Sequence, residues 1–177
     1  QTENALTVRV DNSVNDRVYP QKADFTFYGG IYRDVLLRVV PAEHFDLDYF
    51  GGEGLKVTPT VQGEDASVRV EAFHKVPDAE VRIRLLDRDG NTAAEGSGAD
   101  AALTISGVHL WDGVKDPYLY TAEAVLLRGG VELDRVSARF GVRSFRVDPD
   151  KGFFLNGRSY PLHGVSRHQD WKGIGNA

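Results

Sequence analysis

The sequence predicts an all-β protein, built around an immunoglobulin-like antiparallel β-sandwich of about seven strands. Between about residues 46 and 147, short strand-like runs recur, and turn residues such as glycine, asparagine and aspartate separate them. This spacing is typical of an antiparallel sandwich rather than of βαβ units. The chain has no cysteine, so the Cys-Trp-Cys landmarks of antibody domains are absent and the prediction concerns architecture alone.

The strand prediction depends on side-chain alternation. In "EVRIRLLD", Val81, Ile83 and Leu85 fall on one face and the intervening arginines on the other, which is the period of a half-buried strand. The run "SVRVEAFH" has the same character. Both runs are therefore expected to cover one side of a core.

Three turn signals predict hairpins. The segment "DRDGN" at 87–91 contains an Asp-Gly pair, and Gly129–Gly130 separates two strand-like runs. Asn156–Gly157 is a further two-residue signal, close to the end of the sequence. Each turn joins segments that are expected to pair antiparallel.

Composition excludes several classes of function. The net charge is −5 over 177 residues and the arginines are scattered among acids, so no nucleic-acid or anionic-membrane partner is predicted. Without cysteine there is no disulfide, thiolate metal site or cysteine nucleophile, and the cellular compartment stays open. No apolar run approaches the roughly 20 residues of a membrane span. "QTENALTVRV" does not resemble a signal peptide, as expected of a chain cut from a longer one.

The two ends are expected to belong to other folds. Residues 1–22 offer one short strand, "ALTVRV", followed by a polar stretch that cannot bury much surface. At the other end, the hairpin around Asn156–Gly157 is followed by the short apolar piece "YPLHGV" and then by glycines. Neither end completes a domain by itself.

Three segments carry a family resemblance. "DFTFYGGIYRDVLL", "HLWDGVKDPYLYTAEAVLL" and "FGVRSFRVDPDKGFFLNGRSYPLHGVSRHQDW", in that order, resemble the middle of a glycoside hydrolase of family 2, the β-galactosidase group. The resemblance implies that residues 1–42 end a jelly-roll sugar-binding domain and that 43–145 form the sandwich. It implies that 146–177 form the hairpin and first strand of a (β/α)₈ catalytic barrel.

Asp24 is the first candidate substrate-binding residue. Its stretch combines aromatics, a glycine pair and carboxylates, which suits a loop that contacts sugar hydroxyls or a hard cation. The resemblance implies that Asp24 contacts galactosyl hydroxyls and helps to hold a sodium ion. Without it, Asp24 would be interpreted as a solvated loop carboxylate. Arg33 and Asp34 are predicted to form a structural pair.

His168 is the second candidate substrate-binding residue. It follows the predicted first barrel strand, at the end of the barrel where active sites form. In the resembling enzymes, the histidine of the Arg-His pair lines the sugar subsite, and the arginine, here Arg167, is buried. From the residues alone, His168 would be an exposed bystander. The sequence after it departs from the family pattern, so Asp170 and Trp171 are not assigned.

No catalytic residue is predicted in this chain. A retaining glycosidase needs two carboxylates about 5–5.5 Å apart, and the resembling enzymes place both glutamates in the barrel, the first in an Asn-Glu dipeptide. That dipeptide does not occur here. We therefore expect no hydrolysis by the chain alone and no cofactor within it, with sodium or magnesium expected in the whole enzyme.

The resemblance implies the non-catalytic linking region of a retaining exo-β-glycosidase, most similar to a β-galactosidase that acts on terminal β-D-galactosides. Its partners would be the neighbouring jelly-roll and barrel domains. The resemblance also allows the parent enzyme to form a homo-oligomer. "GVSRHQD" favours galactosides, whereas β-glucuronidases and β-mannosidases share the other motifs and are alternative parents. The alternative from another class is a free-standing module that binds a glycan or a protein.

Several polar and aromatic residues are predicted to be structural. Trp111 is expected to be buried, with its indole N–H bonded, in a loop that crosses between the sheets. The histidines other than His168 lie apart in the sequence, so satisfied structural roles are expected rather than metal binding. The acids of "FDLD" and "DRD" are interpreted as turn and hairpin-edge residues.

Overall fold

The computed structural model describes residues 5–11, 13, 30–31, 34–49, 51–167 and 172. Residue contacts divide the chain into two compact units, Gln1–Arg38 with Gly164–Ala177, and Val39–His163. In the first unit, the described residues form no strand. The ten strands formed by described residues all lie in the second unit, and the described part of the chain contains no helix that could cross a membrane.

The strands follow one another along the second unit in chain order. They are β1 (Leu55–Gln62), β2 (Asp65–Ala72), β3 (Glu80–Leu86), β4 (Thr92–Ser97), β5 (Asp100–Ile105), β6 (Tyr120–Arg128), β7 (Val131–Phe140), β8 (Phe145–Asp148), β9 (Gly152–Leu155) and β10 (Arg158–Ser159).

The first seven strands form the predicted sandwich. One sheet has the order β1-β2-β5 and the other β4-β3-β6-β7, and every pairing is antiparallel. The chain changes sheet after β2, after β4 and again after β5, so the β2–β5 and β3–β6 pairs join strands that are not consecutive in sequence. The all-β, immunoglobulin-like architecture expected from the sequence is thereby confirmed.

Alternating side chains from both sheets form the core. Val81, Ile83 and Leu85 of β3 are at most 2% exposed, whereas the arginines between them are exposed. Val68 of β2 and Leu126 of β6, from the two sheets, are fully buried in the same cluster. Burial of each such side chain contributes about 1.5–3 kcal/mol relative to exposure. The core therefore joins the two sheets into one unit.

The three predicted hairpin turns are confirmed. Gly129 and Gly130 have φ of 57° and 81°, and Asn156 and Gly157 have φ of 48° and 76°. Positive φ at both central residues suits the right-handed twist of the flanking strands. In the third turn, Asp87 closes the loop by accepting the backbone N–H of Asn91 at 2.8 Å.

The segment before β1 is fastened to the β6–β7 hairpin. Phe45 is 1% exposed, and its backbone N–H donates to Asp134 Oδ2 at 2.8 Å. Glu43 forms two hydrogen bonds with the guanidinium of Arg128, one of them 2.6 Å long. These contacts hold the incoming chain against the end of the four-stranded sheet.

A small third sheet follows the sandwich, with the order β10-β9-β8. Leu155 of β9 is 2% exposed, but Phe145 and Val147 of β8 are 66% and 73% exposed. Phe145 stacks on Phe153, with ring centroids 6.0 Å apart. We refer to residues 145–159 as the terminal hairpin sheet.

Candidate functional site

The two predicted substrate-binding residues, Asp24 and His168, lie outside the described residues. The same holds for Arg33, Asp170 and Trp171, so the predicted Arg33–Asp34 pair has no structural description. Asp34 itself is exposed. The assignments of Asp24 and His168 therefore stay predictions, including the sodium-ligand role of Asp24.

The loop between β5 and β6 carries a polar cluster around Asp116. A ring nitrogen of His109 lies 2.6 Å from Asp116 Oδ2, and Arg88 Nη2 lies 3.4 Å from Asp116 Oδ1. The His109 ring stacks on Tyr118 with centroids 4.0 Å apart. The backbone N–H of His109 donates to the hydroxyl of Tyr120 at 2.9 Å. These contacts join the crossing loop to the β3–β4 turn and to β6.

Two groups of the cluster have shifted pKa values. The hydrogen bond from His109 is the main reason that the pKa of Asp116 is lowered, and Arg88 adds to it. Burial raises the pKa of the Tyr120 hydroxyl. Among the described residues, no serine or threonine hydroxyl bonds to His109 or Asp116. Within the described part of the chain, this His-Asp pair therefore has no bonded nucleophile to activate, and its contacts hold a loop in place.

Asn156 joins the sandwich to the terminal hairpin sheet. Its side-chain amide donates to the carbonyl oxygen of Trp111 at 3.0 Å, and its carbonyl oxygen accepts the backbone N–H of Ser144 at 3.0 Å. The backbone N–H of Asn156 donates in turn to Ser144 O at 2.8 Å. Beside it, Arg158 donates to Asp112 Oδ1 at 2.6 Å. Asn156, which was predicted only as a turn residue, thus also links the terminal hairpin sheet to the sandwich by hydrogen bonds.

The position of Trp111 differs from the prediction. Trp111 is only half-buried, because the loop lies at the margin of the sandwich and the guanidinium of Arg143 covers the ring at 4.8 Å. The backbone N–H of Trp111, rather than a described indole bond, anchors it, by donating to Val142 O at 2.8 Å. Trp111 does serve to anchor the crossing loop.

The histidine and carboxylate predictions have mixed outcomes. His74 Nδ1 is buried without a hydrogen-bond partner, so it is not the satisfied histidine that was expected. The acids of "FDLD" form a turn, in which Asp46 accepts the N–H of Asp48 at 2.8 Å and both pair with Lys75. In the described part of the chain, no three His, Asp or Glu residues gather into a group that could hold a metal ion.

Comparison with known proteins places the sandwich in one enzyme family. Residues 53–143 match the profile of the family described as Glycosyl hydrolases family 2. A β-glucuronidase of Bacteroides fragilis is 36% identical over 99% of this chain and 27% of its own length. The crystal structure of an FMN-binding β-glucuronidase from Facaelibacterium prausnitzii is 39% identical with a TM-score of 0.77, over 89% of this chain and 26% of that one.

The chain belongs to glycosyl hydrolases family 2, as the sequence predicted. It spans about a quarter of the length of the relatives named above. A β-galactosidase of Bacteroides ovatus, BoGH2A, is also similar, at 32% identity over 98% of this chain and 21% of its own length. The more similar relatives are β-glucuronidases, so the predicted preference for galactosides lacks their support.

Proposed function

We propose that this chain is the non-catalytic linking region of a family 2 exo-β-glycosidase that hydrolyses β-D-glucuronides. The main support is the β-glucuronidase of Bacteroides fragilis, whose 36% identity extends over 99% of the chain and so includes both flanks of the sandwich. A free-standing binding module needs no such flanks. The substrate assignment replaces the galactoside preference drawn from "GVSRHQD".

In this proposal, the sandwich acts as a rigid spacer between a sugar-binding domain and a catalytic barrel. Its core joins both sheets, the bonds of Phe45 and Glu43 hold the incoming chain, and Asn156 with Arg158 holds the outgoing hairpin. Positioning of this kind matters in an enzyme because small displacements of the reacting groups lower the rate steeply. The chemistry itself needs two carboxylates that this chain is not predicted to supply.

We propose further that Asp24 and His168 contact the sugar bound by the parent enzyme. The support for this comes from the sequence: a carboxylate accepts hydrogen bonds from sugar hydroxyls, and histidine can donate them. Asp24→Asn in the parent enzyme is expected to raise KM without lowering Tm. Asp89→Asn is the control, since Asp89 is an exposed turn carboxylate of the sandwich. Equal kinetics in both variants would contradict the assignment.

The substrate is tested with the parent enzyme. We expect kcat/KM for 4-nitrophenyl β-D-glucuronide to exceed that for the β-D-galactoside and the β-D-mannoside, and the 177-residue chain to be inactive on all three. A preference for the galactoside would support the second candidate, a β-galactosidase, which the 32% identity to BoGH2A favours. If the gene encodes no further domain, the free-standing module becomes the better interpretation.

A further inference from the structure

The outer face of the four-stranded sheet carries an open groove that has no assigned role. The groove has a volume of about 690 Å³ and crosses strands β4, β3, β6 and β7. Val125 and Leu127 of β6 form part of its surface, and charged side chains of the neighbouring strands flank them. Its size falls within the range of small-molecule sites, roughly 300–1,000 Å³.

Two arginines of β3, Arg82 and Arg84, face this groove and differ in their bonding. The guanidinium of Arg84 is bonded to Glu123, with Nε 3.0 Å from Oε1. Arg82 is the preceding outward residue on the same strand, and its cross-strand neighbours are Ser97 and Val125. Neither neighbour is an acid. Arg82 is exposed and forms no hydrogen bond or ion pair with any described residue.

The two acids of the ion-pair network beside Arg82 are already bonded to other arginines. Arg135 bonds to Glu132 through Nε and Nη2, at 3.0 and 2.7 Å, and its Nη1 lies 2.8 Å from Glu123 Oε1. Glu123 and Glu132 are thereby engaged with Arg84 and Arg135. Arg82 therefore retains a guanidinium whose donors are free for a ligand.

The groove also contains acceptors that suit hydroxyl groups. Glu95 of β4 lies opposite Arg84, but Arg84 turns to Glu123, and Glu95 has no hydrogen-bond partner among the described residues. Ser97, directly opposite Arg82, adds a hydroxyl at a Cβ separation of roughly 4.5–5.5 Å. Ser97 and Glu95 are two residues apart on one strand, or about 6.6 Å.

This arrangement selects for a particular ligand chemistry. A free guanidinium binds a carboxylate through two parallel hydrogen bonds. Glu95 accepts hydrogen bonds from hydroxyls, and Val125 offers an apolar surface to the C–H groups of a sugar ring. We propose that the groove binds a hydroxylated sugar acid, with its carboxylate on Arg82 and its hydroxyls on Ser97 and Glu95. The proposal uses residues of the sandwich alone and does not depend on the activity of the parent enzyme.

The test is an NMR titration of the ¹⁵N-labelled 177-residue chain with sodium D-glucuronate. We expect saturable shifts of the backbone amides of Arg82 and Ser97. Two parallel titrations, with D-glucose and with sodium acetate, separate the contributions of the carboxylate and of the hydroxyls. Each is expected to bind at least tenfold more weakly than glucuronate.

Arg82→Gln is expected to weaken glucuronate binding at least tenfold. Arg139→Gln is the matched control, because Arg139 is also exposed, lies on the same sheet without a described carboxylate partner, and is absent from the groove lining. Both positions are on the surface, and a dispersed spectrum of each variant verifies the fold. Linear, non-saturating shifts, equal binding by the two variants, or acetate or glucose binding as tightly as glucuronate would each overturn the proposal.

Discussion

The sandwich and the terminal hairpin sheet are stabilised in different ways. In the sandwich, the inward faces of two sheets bury each other, so that Ile83 and Leu85 have no exposed surface. The hairpin sheet has one buried anchor, Leu155, while Phe145 and Val147 remain exposed. Its position depends instead on polar bonds made by Asn156 and by the Arg158–Asp112 pair.

This difference determines which substitutions destabilise each region. A core held by many apolar contacts unfolds cooperatively. A segment held by a few hydrogen bonds can instead open locally, without global unfolding. Core substitutions should therefore change the stability of the whole sandwich. Substitutions of the polar anchors should release the hairpin sheet and leave the sandwich folded.

The largest effect is expected from Ile83→Ala. Ile83 is fully buried between the sheets, and removal of its side-chain atoms loses their burial and leaves a cavity, which costs about 2–5 kcal/mol. Val131→Ala is the matched control, because Val131 is 64% exposed. Urea unfolding followed by tryptophan fluorescence measures both. A similar, small shift in the two midpoints would contradict the assignment of Ile83 to the core.

Gly54→Ala is expected to have the next largest effect, about 2–3 kcal/mol, from left-handed strain together with a steric clash. Gly54 has φ of 71°, and an added Cβ would lie 2.8 Å from Asp46 O and 2.9 Å from Phe45 Cβ. Gly90→Ala separates the two causes, since Gly90 has φ of 85° with open space around it.

The Gly90 variant should be destabilised by the left-handed strain alone, which lowers its free energy of unfolding by about 1–2 kcal/mol. Thermal unfolding of both variants measures the difference. Equal losses would show that the backbone around Gly54 relaxes to accept the added Cβ.

Asn156→Gly sharpens the comparison between the two regions. Glycine keeps the positive φ of this position but removes the side-chain bonds to Ser144 and Trp111. We expect a local loss of about 1–2 kcal/mol, visible as faster hydrogen exchange of the β8–β10 amides. The exchange of β2 and β6 amides in the core should be unchanged. Uniformly faster exchange in both regions would contradict the separation.

The smallest effect is expected from Asp116→Asn, and it should depend on pH. Since His109 lowers the pKa of Asp116 below its ordinary 3.8 in the folded chain, the carboxylate stabilises the fold above that value. This contribution is lost as the pH falls through the lowered pKa. The variant should therefore be less stable than the unchanged chain at pH 7, and the gap should narrow between pH 4 and pH 2.

Urea midpoints at pH 7, 4 and 2 measure this gap. Asp89→Asn is the control, because Asp89 is an exposed turn carboxylate. A gap for Asp116→Asn that is constant across this range would rule out titration of the carboxylate as its origin.

The sequence predicted the parts of the fold that depend on neighbouring residues. Alternation in "EVRIRLLD" placed β3, and the glycine pair and Asn156–Gly157 placed two tight turns, because these patterns act within a few residues. Trp111 and His74 were predicted less well. Their burial and bonding depend on segments far along the chain, such as Val142 and Arg143 beside Trp111.

By itself, the sequence determined the all-β class, the hairpin turns and the family, since side-chain period and backbone preference are local properties and motif order can be read directly along the chain. The tertiary structure alone decided which polar groups have partners. Arg82 and Arg84 occupy equivalent outward positions on one strand, but register places Val125 opposite the first and Glu123 opposite the second. Cross-strand register joins residues about forty positions apart, and it is set only when the sheets pack on each other.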